Sequence, residues 1–215
     1  MMNENKIESL RKELIDLYNL HKEKLLFHGW HHIHFVSKKS IEFAKEIGAD
    51  TFLVESAALT HDLNYIVEKN SHANAGENLR NEILSKCGYD KDQMKIIGEI
   101  INGAHLADRG VDVTKEVAAL SDADTLFKAL PITSILFAGS YITENDVDIY
   151  KLSKKIIEEQ KPLMDQEIYF YTDLAKEKYL KWAKDNLTLW ENVQESLLDE
   201  DVNELLKLAK ENGAL

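Results

Sequence analysis

Residues 55–66 read ESAALTHDLNYI, a small apolar run that ends abruptly on two adjacent polar groups, His61 and Asp62. Ala57 and Ala58 lie four and three residues before His61. On an α-helix that spacing puts all three side chains on one face. His61 therefore continues an apolar stripe instead of opening a solvent face. A lone histidine in such a place is most often a satisfied core residue, so its neighbours decide how it is read.

The flanking sequence is helical throughout. Ile7, Leu10, Leu14, Leu17 and Leu25 recur at three- and four-residue spacing and predict an amphipathic helix over about 5–27. A second helix is expected over about 31–47, stopped by Gly48, and a third over about 50–63, capped by Asp50 or Thr51. SHANAGENLRNEILSKCG (71–88) and YDKDQMKIIGEIINGAH (89–105) predict two more. TKEVAALSDADTLFKAL (114–130) predicts another, terminated by Pro131. An apolar segment at 132–142, a polar break at TENDVD and two or three further helices complete the chain. No alternating run predicts a strand, and no repeat or linker divides the sequence. The expectation is one all-α domain over 1–215.

The histidines are clustered. Of eight, His21, His28, His31, His32 and His34 fall within fourteen residues, and the others are His61, His72 and His105. His105 follows Ile97 and Ile101 at four-residue intervals, so it also continues an apolar stripe. In LSDADTLFKAL, Asp124 shares a helix face with Leu120 and Phe127. A carboxylate at a core-like position costs several kcal/mol when unpaired, on the order given by buried-charge data. Buried histidines and a buried aspartate from separate helices offset one another best around a divalent cation. The bland alternative is that Asp122 and Asp124 both face water at a helix bend.

Composition narrows the function classes. Aspartate and glutamate number 38 against 26 lysines and arginines, a formal net charge of -12. Nucleic-acid strands and anionic membranes require a basic footprint, which this chain lacks. The single cysteine, Cys87, permits neither an intrachain disulfide nor a thiolate cage. With no signal-like N-terminus and no apolar run long enough to span a bilayer, the expected location is the cytoplasm.

In order and in local context, these residues resemble the HD-domain metal-dependent phosphohydrolases. HIHFV supplies the first histidine, His32; ESAALTHDL supplies His61 and Asp62; SDADTLFKA supplies the final aspartate. The resemblance covers about 25–130 as an HD-domain helical bundle, with a helical C-terminal extension over about 131–215. It implies a divalent ion (Mn, Fe, Mg, Co or Zn) held by His32, His61, Asp62 and Asp124. Asp122 is the alternative ligand, or a hydrogen-bonding partner of the ligand shell. A subset of the family holds two ions, and His72 and His105 stand in the order that would serve the second.

The implied activity is hydrolysis of a phosphomonoester or pyrophosphate bond in a small phosphorylated substrate, a nucleotide by preference. A metal-activated water is the nucleophile, and His61 and Asp62 are the catalytic pair. His28, Arg109 and Asp122 are candidate substrate contacts, Arg109 as a phosphate clamp at the pocket rim. Asn64 follows the HD pair where an acid or lysine would protonate a leaving group, so that role has no candidate. The chain is expected to act as a monomer or homodimer. A di-iron oxygenase and a non-catalytic metal- or nucleotide-binding module remain alternatives.

Overall fold

The computed structural model describes residues 2–104 and 109–214. Among them there is no strand, and the fold is all-α. The central helix is α2 (Trp30–Ile47), which packs against α3 (Thr51–Thr60) on one side and α7 (Lys115–Ala129) on the other. Its buried residues His32, Ile33, Val36, Ser37, Ser40, Phe43 and Ala44 form the stripe that three- and four-residue spacing predicts. Ser37, Ser40 and Ala44 are small, which lets neighbouring helices approach closely. His32 heads this stripe and is fully enclosed.

Helix α1 (Met2–Leu20) lies across α3, and α6 (Lys91–Gly103) packs on α3 and α7. The α3 residues Ala57, Ala58 and Leu59 are completely buried in one apolar core with Leu10, Leu14, Ile97, Leu120 and Leu126. Side chains start these helices as the sequence suggests. Asp50 accepts from the Phe52 and Leu53 amides, Thr114 from Val117, and Asp90 forms a capping box with Gln93. Gly48 ends α2 in the left-handed conformation at φ 67°.

Three expected elements differ in outline. The first helix stops at Leu20 instead of about 27, and the segment beyond it is a loop in which Glu144 accepts hydrogen bonds from the Phe27 and His28 amides. The expected helix over 71–88 divides into a 3-10 turn (Ala73–Gly76) and α5 (Glu77–Lys86). At Gly76 a Cβ would sit 2.5 Å from the Asn64 nitrogen, so only glycine lets this turn press against the backbone just beyond the HD pair. Pro131 ends one helix and begins another, occupying the first position of α8 (Pro131–Asn145) at a sharp bend of 81°.

The C-terminal part adds α9 (Ile149–Asp165), α10 (Asp173–Ser196) and α11 (Glu200–Glu211). Helix α10 packs on α9, α7 and α8 and closes the side of the bundle, whereas α11 buries no residue. A short α4 (Asn64–Val67) follows α3 directly. No single helix among the described residues is long and apolar enough to cross a membrane.

Candidate metal centre

His61 ends α3, where its Nδ1–H donates to the Ala58 carbonyl at 2.8 Å. That bond orients the ring and directs Nε2 away from its own helix. His32, at the start of α2, meets it from the opposite side, Nε2 to Nε2 at 3.2 Å. Asp62 completes the triangle: its Oδ2 lies 3.0 Å from His32 Nε2 and 3.3 Å from His61 Nε2. Donors bonded at about 2.1 Å to one small divalent ion stand about 3.0–3.4 Å apart in octahedral or tetrahedral geometry. His32, His61 and Asp62 therefore fit a metal ion, and Asp62 Oδ2 is enclosed with no hydrogen-bond donor geometry satisfied among the described residues.

Asp124 reaches the same point from α7, its Oδ1 3.5 Å from His32 Nε2 and 3.8 Å from His61 Nε2. Its other oxygen accepts from Lys128 Nζ at 2.7 Å. One carboxylate thus joins the histidine cluster to an ammonium group. Burial alone would raise the Asp124 pKa, but Lys128 and the two histidines overcome it and hold the group ionised.

The two imidazoles are driven apart electrostatically. Burial dominates at His32 and pushes its pKa down to about 4, against the pull of Asp62. At His61 burial acts in the same sense, but Asp62, Asp124 and the Ala58 carbonyl outweigh it and lift the pKa to about 9. Without metal, a proton on His61 neutralises the carboxylates in the ion's place.

The cluster opens into a cavity of about 890 Å³ bordered by α7, α8 and α9, with Tyr65, Tyr141, Lys128 and Lys155 on its walls. His28 lies on this wall, stacked on Tyr65 with centroids 3.6 Å apart and paired through Nδ1 with Glu144. Burial would raise the Glu144 pKa, but the His28 ring and the two loop amides hold it below the usual range.

Two expected substrate contacts have other partners. Arg109 borders the cavity, but its guanidinium is enclosed and engaged, bonded through Nη1 to Asp122 at 3.0 Å and through Nη2 to Ser121 and Thr125 at 2.9 Å each. It also stacks on Tyr171 at 4.7 Å. Asp122 is neither ligand nor ligand partner. Besides Arg109 it accepts from the Tyr171 amide at 2.9 Å and the Thr172 amide at 2.7 Å, fixing the start of α10. The pair tolerates burial because both Asp122 oxygens and both terminal nitrogens of Arg109 are hydrogen-bonded, although Arg109 Nε has no partner among the described residues.

The proposed second-ion ligands are not assembled among the described residues. His72 is exposed and caps the 3-10 turn by accepting from the Asn74 amide, and His105 lies outside the described residues. His31 stacks on Phe137 at 4.8 Å and serves packing. Lys128 and Glu144 carry charge into the site without any motif to mark them. The only sequence signal for Lys128 is its position four residues after Asp124, one helical turn on the same face. Glu144 is 116 residues from His28 and gave no signal at all.

No protein-family model matches the chain, and no curated protein matches it. Among solved structures, the crystal structure of Bacillus subtilis YpgQ superposes with a TM-score of 0.64, covering 91% of this chain and 97% of that one. Sequence identity is 20%, so the likeness is one of fold.

Proposed function

We propose that this chain is an HD-domain metal-dependent phosphohydrolase acting on small phosphorylated compounds, mononucleotides by preference. The observation that carries the reading is the triangle of His32 Nε2, His61 Nε2 and Asp62 Oδ2 with edges of 3.0–3.3 Å. His32, His61 and Asp62 would hold the ion, with Asp124 as a fourth donor. A bound divalent ion supplies Lewis acidity and a water of lowered pKa.

The protein's own groups do the rest. Asp62 keeps a second oxygen with which to orient a water. Lys128 stands at the Asp124 oxygen facing away from the histidines, where its ammonium can neutralise a phosphoryl oxygen. Lys155 lines the same cavity from α9 and adds positive charge at the wall. Tyr65 and Tyr141 offer aromatic faces to the organic part of a substrate. With a net charge of -12, long polyanions are repelled outside this pocket, so single phosphate or pyrophosphate groups suit it better than strands.

The test is metal analysis of protein purified without added metal, followed by phosphate release from mononucleotides with Mn²⁺, Mg²⁺ and Co²⁺. Metal at one or more ions per chain and mononucleotide turnover are expected. Cleavage of oligonucleotides with mononucleotides untouched would overturn the substrate assignment. Bound iron with oxygen uptake and no phosphate release would replace hydrolysis by oxidation.

A further inference from the structure

Arg80, on α5, is 2% exposed. Its Nε is enclosed without a hydrogen-bond partner, and Arg80 forms no ion pair among the described residues. The acid that acts on it electrostatically, Glu77, sits three residues earlier on the same helix and forms no direct contact. The terminal nitrogens of Arg80 are not among the enclosed atoms, so the charged end of the side chain reaches the adjoining groove with no acid paired to it among the described residues.

The opposite wall accommodates this charge. Gly98 lies within α6, and a Cβ there would stand 3.2 Å from Arg80 Nη2. Glycine is a poor helix former compared with alanine. The sequence thus carries an unfavourable residue at the point where the guanidinium needs room.

Arg80 and Gly98 border a groove of about 370 Å³ between α5 and α6. Lys91 and Lys95 supply two more positive charges, Asn81 and Asn102 supply amides, and Glu77 and Glu99 are the two acids on its walls. Lys95 and Glu99 approach to 3.8 Å and both remain well exposed, so that pair is weak. Three cations face two carboxylates on a protein whose net charge is -12. None of these residues borders the metal cavity.

We propose that the α5–α6 groove is an anion site that takes a single phosphate-type oxyanion, with Arg80 as its principal ligand. A planar guanidinium binds such an oxyanion through paired hydrogen bonds, and the amides of Asn81 and Asn102 add neutral donors. The two flanking acids disfavour a larger polyanion, which confines the occupant to one small group.

The test titrates inorganic phosphate into the metal-stripped, ¹⁵N-labelled full chain at constant ionic strength. Saturable shifts of the Gly98 amide and the Arg80 Nε–H are expected. Arg80→Met should abolish them while keeping the wild-type helical spectrum, because an apolar side chain leaves no charge to satisfy. Gly98→Ala should weaken phosphate binding about tenfold or more, as expected for a displaced charged hydrogen bond. Unmoved Gly98 and Arg80 signals, or the same saturable Gly98 shift in Arg80→Met, would overturn the proposal. Should Arg80→Met not fold, Gly98→Ala decides alone, and unchanged phosphate affinity in it overturns the proposal. Shifts confined to His61 and Lys128 would assign the phosphate to the metal cavity and also overturn it.

Discussion

Asp122 and Asp124 stand two residues apart on one helix and serve opposite ends of the same architecture. Asp124 turns one oxygen to the His32–His61 pair and the other to Lys128. Asp122 turns inward to Arg109 and the start of α10. A helix rotates about 100° per residue, so a spacing of two sends side chains to different faces.

Replacing Asp122 should therefore act on stability, not on metal. Asp122→Ala leaves the Arg109 guanidinium buried without its anion, a loss of about 3–5 kcal/mol. Urea unfolding should show that loss, while the folded fraction keeps its metal. Depleted metal with unchanged stability would instead make Asp122 a ligand.

His61→Ala and Asp62→Ala should each abolish tight metal binding and leave the helical spectrum intact. The two side chains sit at the rim of the cavity, and their loss removes few apolar contacts. Asp124→Ala should weaken metal binding as well, because it removes a donor and leaves the Lys128 ammonium beside the ion without the carboxylate that pairs it. Full metal content in both the His61 and Asp62 variants would dismantle the centre as drawn.

The metal-free protein should be most stable near pH 6.5. His32 has a folded pKa of about 4, below the ordinary 6.5, so the unfolded chain binds more protons and stability falls as pH drops from about 6.5 to 4. His61 has a folded pKa of about 9, so the folded chain binds more protons and stability falls as pH rises from about 6.5 to 9. Thermal melts across this range measure both limbs. Metal binding at pH 7 should release close to one proton, from His61, and calorimetry in buffers of different ionisation enthalpy reads that number. Release of none would contradict the charged state assigned to His61.

Lys128→Gln tests the phosphate contact. Metal content should be retained, because Lys128 is not a donor to the ion, while KM for a phosphorylated substrate should rise about tenfold or more. A fall in metal affinity with KM unchanged would make Lys128 a support for Asp124 only.

The sequence by itself determined the all-α fold, most helix boundaries, and the placement of His61 and Asp124 on apolar stripes, whereas His32 and Asp62 were singled out by the resemblance of their surroundings to a family motif. Those features are local: periodicity, caps and a helix-ending glycine are written within a few turns, and a polar residue on an apolar stripe announces itself by its spacing. What only the tertiary structure decided is which polar groups meet. Arg109 and Asp122 looked alike suited to substrate, yet they pair with each other because the start of α10, about fifty residues on, seals them together. Glu144 and His28 meet across 116 residues, a contact that no local pattern announces, in the segment that follows the end of the first helix at Leu20. Lys128 reads as an ordinary solvated lysine until α8 and α9 enclose the cavity around it. Periodicity assigns a side chain to a face, but its partner across that face is set by packing between helices distant in the chain.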